Sequence, residues 1–317
     1  MMRAYHYAHL TFPLPNRHRY PLPRYIRLYH ATREAGLLPP EHIIPAPQAD
    51  ETVLQLAHTP AYIKRMQTGN LTPAALRQLN LPWSPTMVSR AQHIVGATIA
   101  TCQAALQYGY AFTLGGGTHH AHADYGSGFC VFNDIAIAAR YLHQQAHIKR
   151  VAIIDCDVHQ GDGTAAILAT DPHLFTLSIH AQNNFPFTKA TSDLDIPLPD
   201  NSGDAIYLAA LQRAFTYTLR TQKPDLIIYV AGADPYQHDT IGRLALTPAG
   251  LLARDRLIIT AGYRHQIPIA ILMGGGYARP ITETVALNLQ TVAATHHIYH
   301  QTAYTPPQPS AHVANIL

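Results

Sequence analysis

The alternation of apolar strands with helices over the later two thirds of the chain constrains the fold more than any other feature. Apolar segments that predict strands recur at 110–114, 151–157, 174–179, 225–231 and 267–273. Helical segments, among them 133–145, 204–221 and 248–264, separate these strands, and a last helix is expected from Ile281. Continuous apolar strands joined by helices are typical of a parallel sheet that is buried on both faces. The sequence therefore predicts an α/β fold with helices on both sides of a mostly parallel sheet.

The segment 151–163, VAIIDCDVHQGDG, ends the second strand in ionisable residues. If the strand continues, alternation places Asp155, Asp157 and His159 on one face, about 6–7 Å apart at each step. Such groups are costly to bury unless a partner neutralises them, and a divalent cation is the simplest partner. The alternative is a strand whose polar end is merely solvated.

Three other strand ends carry residues of the same kind. His119 and His120 follow the first strand, Asp234 follows the strand at 225–231, and Tyr277 follows the last strand. In open α/β sheets ligands bind beyond the carboxyl ends of the strands, so we expect all four ends to meet at one edge.

One imidazole and two carboxylates, from Asp157, His159 and Asp234, form the predicted metal site. Three protein ligands leave a position open for water and substrate, as in catalytic zinc sites. The oxygen-rich set also tolerates iron, manganese or cobalt.

Two further aspartates, Asp155 and Asp162, are not needed for such a site. A buried carboxylate that accepts the distal N–H of an imidazole fixes its tautomer and raises its basicity, so we predict two His–Asp pairs. The alternative is two ordinary loop histidines at 119 and 120. Tyr277, after three glycines, is expected to donate to a developing oxyanion, although packing under a glycine turn is the commoner case. Together these residues predict metal-assisted hydrolysis of an amide.

Composition limits the class of protein. The chain of 317 residues, 47% hydrophobic and 13% charged, provides a large core and no signature of disorder. Its net charge of +3 is too small to predict nucleic acid or membrane partners. Three cysteines without a disulfide framework, a first segment without a signal-peptide core and no run of ~18 apolar residues together predict a cytoplasmic protein.

Five motifs together resemble those of the zinc-dependent histone deacetylase family, with its bacterial acetoin-utilisation and acetylpolyamine amidohydrolase relatives. In chain order they are GGGTHHAHADYGSGFCVFND, IDCDVHQGDGT, TLSIH, AGADPYQHD and MGGGY. The resemblance extends over most of the chain, and we expect a single deacetylase domain over 1–296 followed by a C-terminal tail over 297–317. It implies the arginase/deacetylase fold, an eight-stranded parallel sheet sandwiched between helices.

The resemblance also implies which residues have which role. The family's metal ligands match Asp157, His159 and Asp234. Its catalytic residues match His119, His120, Asp155, Asp162 and Tyr277. Its substrate tunnel matches Gly128, Phe129 and Gly275, with Phe185 or Phe187 as the opposite wall. Its structural potassium site matches Asp155, Asp157, His159, Ser178 and Ile179.

Within this set, His120 would be the general base, held by Asp162, and His119 an electrostatic or acid partner, held by Asp155. The implied cofactors are Zn²⁺, with Fe²⁺ as the alternative in vivo, and a structural K⁺. Gln160 departs from the family pattern, which often has a second His after the ligand His. The segment NNFPFTKATSDLDIPLP resembles the small bacterial and class IV-like branch. We identify no equivalent of the rim aspartate that orients the substrate backbone in some members.

The leading hypothesis for the substrate is an acetyl- or other acyl-lysine in a peptide or protein. The alternative is an acylated polyamine or another small acyl amide, which an acidic and narrow entrance would favour. Two other classes are an acyl-lysine binding protein without activity and an arginase-like dimanganese hydrolase, which would need more ligands than the motifs supply. The sequence does not indicate the oligomeric state.

Overall fold

One sheet of eight strands forms the centre of the computed structural model, which describes residues 2–145 and 148–301. In chain order the strands are β1 Arg3–His6, β2 Ile43–Pro45, β3 Tyr110–Thr113, β4 Val151–Asp155, β5 Leu174–Ala181, β6 Leu194–Leu198, β7 Leu226–Val230 and β8 Ile269–Leu272. They pair in the order β2-β1-β3-β8-β7-β4-β5-β6, and every pair is parallel. The predicted parallel α/β sheet is confirmed.

Helices cover both faces of this sheet. They are α1 Pro23–Glu34, α2 Glu51–Leu54, α3 Pro60–Thr68, α4 Pro73–Leu79, α5 Pro85–Tyr108, α6 Asp134–Gln145, α7 Asp162–Leu168, α8 Asp204–Gln222, α9 Pro248–His265 and α10 Ile281–Gln301. Residues of α5 and α6 form the apolar core on one face, and residues of α8, α9 and α10 form it on the other. Because helices cover both faces, every residue of β3, β4, β7 and β8 is buried.

Helix boundaries follow the capping signals in the sequence. The hydroxyl groups of Thr59 and Ser84 accept hydrogen bonds from the backbone N–H groups of Tyr62 and Met87, and a proline follows each capping residue. Gly69 ends α3 with a φ of 73°, a left-handed conformation that glycine adopts without strain. The starts of α3 and α5 and the end of α3 thus follow from local sequence signals.

The strand that carries the central motif ends earlier than predicted. β4 stops at Asp155, whereas the alternation argument continued it through Asp157. The N–H of Asp157 donates to Asp155 Oδ1 at 3.1 Å, and the N–H of His159 donates to Asp157 Oδ1 at 3.0 Å. Such local bonds from side chain to backbone compete with a strand ladder, so the prediction of one extended face was wrong.

Three strands and one helix end also differ from the sequence reading. β1, β2 and β6 lie toward the edges of the sheet, and their short sequences include Arg, Pro and Asp rather than a continuous apolar run. α10 continues to Gln301, past position 297, where the C-terminal tail was expected to begin. Residues 302–317 of the predicted tail lie outside the described residues. None of the described helices has the length and apolar character that crossing a membrane requires.

Candidate active site

The polar strand ends meet at one edge of the sheet, as the topology requires. β3, β8, β7 and β4 are neighbours in that order. The segments that follow them line one cleft of about 610 Å³, whose walls include His119, His120, Asp157, His159 and Tyr277. The structure thus brings together residues that lie up to 158 positions apart in the sequence.

Asp157, His159 and Asp234 form a buried cluster at the floor of this cleft. Each offers one potential ligand atom, and these atoms all lie within 4.8 Å of one another. Nδ1 of His159 is 2.9 Å from Asp157 Oδ1 and 3.4 Å from Asp234 Oδ2. Asp234 Oδ2 is buried and has no hydrogen-bond partner. An imidazole with two carboxylates, one of them incompletely satisfied, fits a divalent cation.

The ionisation of the cluster supports the same interpretation. Burial and the negative charge of Asp157 raise the pKa of Asp234 to about 7. Burial opposes the charged form of His159, but the neighbouring carboxylates of Asp157 and Asp234 outweigh this and raise its pKa to about 10. The carboxylates thus stabilise one positive charge at this point. A metal cation would receive the same stabilisation in place of the proton.

Backbone groups hold the two carboxylates in position. The N–H of Val158 donates to Asp234 Oδ1 at 2.9 Å, and the N–H of Gly275 donates to Asp157 Oδ2 at 2.7 Å. A Cβ atom on residue 275 would collide with the Asp234 carboxylate. Gly275, predicted as part of the tunnel, therefore allows the chain to approach the cluster closely.

The two predicted His–Asp pairs are both present. His119 Nδ1 lies 2.6 Å from Asp155 Oδ2, and His120 Nδ1 lies 2.6 Å from Asp162 Oδ1. Although the histidines are adjacent in sequence, their ring centroids are only 4.1 Å apart. The loop before them turns through Gly116 and Gly117, whose φ angles of 75° and 80° are accessible to glycine.

The environments of the two histidines drive their pKa values apart. Burial and the neighbouring His119 lower the pKa of His120 to about 4. Burial also disfavours the charged form of His119, but Asp155 and Asp157 outweigh it and raise its pKa to about 9. At neutral pH His120 is therefore a neutral base and His119 a cation, a separation typical of acid and base pairs in active sites.

Tyr277 faces the cluster from the turn after β8. Its ring centroid is 6.5 Å from that of His159 and 6.1 Å from that of Phe129. Its N–H donates to Asp239 Oδ2 at 2.6 Å. Burial and the carboxylates of Asp234 and Asp157 raise the pKa of the phenol, which keeps it a hydrogen-bond donor.

Aromatic rings form the walls above the cluster. Phe185 lies 4.9 Å from the His120 ring, measured between centroids, and Phe129 forms part of the same cleft. Gly128 has a φ of 51°, and a Cβ there would come within 2.7 Å of His120 and 3.0 Å of Phe185. Both candidates for the opposite wall line the cleft, but Phe185 packs against the His120 ring, whereas Phe187 is 84% exposed.

Several residues that support the site were not predicted. Nε2 of His122 lies 3.0 Å from Asp162 Oδ2, so Asp162 contacts two histidines. Arg24, buried, donates to the carbonyl of Gly274 at 2.8 Å. Asp134 accepts the N–H groups of Gly117 and Thr118 and thereby fixes the loop before the histidine pair. His122 and Asp134 both lie within the first of the five motifs, whereas Arg24 lies outside all five and had no sequence signal.

The residues of the predicted potassium site are adjacent. Asp155 of β4 pairs with Ser178 of β5 in register, and both residues are buried. Ile179 follows in the same strand and is also buried. The identity of an ion there stays a prediction.

Comparison with known proteins agrees with this geometry. The family model of the histone deacetylase domain matches residues 18–293. A protein of Picosynechococcus sp. without characterised function is 43% identical over 282 residues, which cover 89% of this chain and 94% of that protein. Acetoin utilization protein AcuC of Staphylococcus aureus is 31% identical over 264 residues, 76% of this chain and 68% of that protein.

Solved structures share the fold at lower identity. A histone deacetylase homologue complexed with SAHA aligns with a TM-score of 0.78 at 21% identity, covering 98% of this chain and 91% of that one. The homologue from Aquifex aeolicus aligns with a TM-score of 0.77 at 21% identity and the same coverage. The predicted arginase/deacetylase fold is confirmed. The chain belongs to the histone deacetylase family and is a deacetylase-type amide hydrolase.

Proposed function

We propose that this protein removes acetyl or related acyl groups from the side-chain amine of lysine, using a metal held by Asp157, His159 and Asp234. The observation that carries the proposal is the buried cluster with an unsatisfied Asp234 oxygen, set beneath aromatic walls. Two His–Asp pairs and a tyrosine stand beside it. Family membership supports an acylated substrate, and the walls of Phe129 and Phe185 suit a thin uncharged chain.

The three ligand residues favour zinc, and their oxygen-rich character also accommodates Fe²⁺. When bound, such a metal supplies Lewis acidity, which polarises the amide carbonyl and lowers the pKa of the attacking water. The protein contributes the negative charge and the fixed geometry described above.

The protein groups around the cluster divide the remaining work. Neutral His120 accepts the proton of the attacking water, because its pKa of about 4 leaves it unprotonated at neutral pH. Cationic His119 stabilises the negative charge that develops and supplies a proton to the leaving amine. The Tyr277 phenol donates a hydrogen bond to the oxyanion. Asp155 and Asp162 hold the two imidazoles by their Nδ1 atoms.

The test is acetate release from an Nε-acetyl-lysine peptide with uncharged neighbours, using protein loaded with zinc, loaded with Fe²⁺, or treated with chelator. Hydrolysis by loaded protein and its loss on chelation are expected. Metal-loaded protein that binds the peptide without releasing acetate would instead support a binding protein. Hydrolysis that survives complete removal of metal would contradict the assignment of the cluster.

The structural potassium site is proposed on narrower grounds. Asp155, Asp157, His159, Ser178 and Ile179 would surround K⁺ mainly through backbone carbonyls. A higher melting temperature in potassium chloride than in choline chloride at equal ionic strength is expected. Equal melting temperatures in the two salts would count against the site.

A cytoplasmic location of the protein also stays a prediction.

A further inference from the structure

Three arginines surround the mouth of the cleft above the candidate metal cluster. Arg19 lies in the segment before α1, Arg77 on α4 and Arg243 in the loop after β7, and all three are exposed. Among the described residues that line the cleft, the single carboxylate is that of Asp157, which is buried at the floor. The mouth therefore carries positive charge, and Asp157 at the floor is the one acidic side chain among the described lining residues.

Two of these arginines are tied to the wall that contains Phe129. The ring of Tyr20, next to Arg19, lies 5.5 Å from that of Phe129, measured between centroids. The carbonyls of Gln78 and Leu79, which follow Arg77, accept the N–H groups of Gly128 and Phe129 at 3.2 and 2.9 Å. Among the described residues neither Arg19 nor Arg77 forms an ion pair, and both side chains are exposed.

The third arginine is tied to the opposite wall. The N–H of Arg243 donates to Asn184 Oδ1 at 2.8 Å, and Asn184 precedes Phe185. The Arg243 guanidinium forms an ion pair with Asp200, with 3.1 Å between Nη1 and Oδ2. Lys189 adds a further cation behind this wall, because its Nζ donates to the carbonyls of Asn184 and Pro186 rather than to a carboxylate.

We infer that the physiological substrate carries negative charge beside the acylated side chain. This inference rests on the proposed function and names its substrate class: an acyl-lysine flanked by carboxylates, in an acidic peptide segment or as a small acyl-amino acid. When the acyl amide reaches the cluster, groups next to the acylated chain remain at the mouth, where the arginines lie. Charge of one sign around a cleft concentrates oppositely charged substrates and disfavours cations such as acylated polyamines.

Solvated surface arginines are common, and one exposed pair contributes little, about 1.4- to 5-fold in affinity. The placement of Arg19, Arg77 and Arg243 separates this case from scattered surface charge. They come from three separate segments, each bonded or packed to a wall residue, on a chain whose net charge is only +3. We therefore expect about a tenfold preference from the three together at low salt, and screening should reduce it at high salt.

The experiment compares kcat/KM of the zinc-loaded full chain on Nε-acetyl-lysine peptides flanked by Glu, Gln or Lys. Each peptide is measured at low salt and at 0.5 M salt, where the screening length falls to about 3–5 Å. Two further arms separate the sources of the negative charge: Nα-blocked Nε-acetyl-lysine with a free carboxylate against its amide, and a monoacetylated polyamine. We expect kcat/KM to be highest for the Glu-flanked peptide, intermediate for the Gln-flanked peptide and lowest for the Lys-flanked peptide. The differences should be smaller at high salt. Each carboxylate-bearing substrate should exceed its uncharged counterpart, and the polyamine should be slowest.

Variants locate the effect. In Arg19→Glu/Arg77→Glu the order should invert, so that the Lys-flanked peptide becomes the better substrate, a gain that misfolding cannot produce. Arg213→Glu/Arg220→Glu, at two exposed positions of α8 outside the cleft lining, changes the net charge by the same four units and should keep the wild-type order. Hydrolysis of the neutral peptide with equal rates for acidic and basic peptides, or an unchanged order in the double variant, overturns the inference and leaves the proposed function standing. If no acetylated substrate is hydrolysed, both fall.

Discussion

Two clusters of buried charge lie side by side on this sheet, and the protein satisfies them differently. In the first, Asp255 accepts bonds from Tyr229 at 2.6 Å, from Thr291 at 2.7 Å and from Arg254 at 3.0 Å. Arg254 also donates to the carbonyl of Gly232. In this closed cluster each charge has an opposite charge and hydrogen bonds within the chain, as buried ion pairs require.

The second is the cluster of Asp157, His159 and Asp234. It has two carboxylates for one imidazole, and Asp234 Oδ2 lacks a hydrogen-bond partner. In a cluster that only stabilises the core, we would expect a hydrogen-bond donor to satisfy this oxygen, as Tyr229 and Thr291 do for Asp255. We attribute the difference to the proposed cation, which would complete the open cluster, whereas the chain stabilises the closed cluster by itself.

The largest effect should come from removing a ligand of the open cluster. Asp157→Ala should lose the metal and lower kcat/KM on acetyl-lysine peptide by at least about 10³, because the substitution removes the Lewis acid. Metal content by mass spectrometry and acetate release measure the two effects. Wild-type metal stoichiometry in this variant would mean that the ligands are misassigned.

The free energy of unfolding should respond to loss of a carboxylate charge strongly in the closed cluster and weakly in the open cluster. Asp255→Asn leaves the buried Arg254 without a counter-charge and should lower the free energy of unfolding by about 3–5 kcal/mol. Asp234→Asn, measured without metal, should change it by less than about 1 kcal/mol, because burial and Asp157 already disfavour the Asp234 carboxylate. Urea unfolding of both metal-free variants makes the comparison. Equal decreases in the free energy of unfolding for the two variants would show that the two clusters do not differ in this way.

A group beside the open cluster should affect turnover alone. Tyr277→Phe removes one oxyanion donor and should lower kcat by about 10²–10³. Metal content and unfolding free energy should stay near wild type, because the backbone bond from residue 277 to Asp239 is retained. Unchanged kcat would remove Tyr277 from the mechanism.

Buried neutral histidines away from both clusters should set a smaller pH effect. Burial lowers the pKa of His58 to about 4, and its Nε2 accepts the N–H of Asn133 at 2.8 Å, so the folded protein keeps it unprotonated. The unfolded chain binds that proton near pH 6.5, so this contribution is present above pH 6.5 and is lost as pH falls toward 4. Between pH 6.5 and 5 the loss should be about 2 kcal/mol.

His58→Gln retains an acceptor for Asn133 and should flatten this part of the curve of unfolding free energy against pH. His6, whose pKa is also lowered to about 4, supplies a residual slope. A variant curve parallel to that of the wild type would show that His58 does not contribute.

The sequence predicted the members of the open cluster because Asp and His at the ends of apolar strands have few structural uses. The closed cluster was not predicted: Asp255 lies inside α9, where an acidic residue is ordinary, and its partners lie 26 and 36 positions away. Arg24 was missed for the same reason, since it bonds to a carbonyl 250 positions away. Phe185 and Phe187 could not be distinguished, because only the path of their loop decides which ring packs against His120. The edge strands have too few apolar residues to be recognised without their partners.

The most direct test of the central claim is a crystal structure of the zinc-loaded protein, with data collected on both sides of the zinc absorption edge. We expect one strong anomalous peak, about 2.0–2.2 Å from an oxygen of Asp157, an oxygen of Asp234 and a nitrogen of His159. A hydrogen bond that closes Asp234 Oδ2 with no peak beside it, or a peak bound by other residues, would contradict the account.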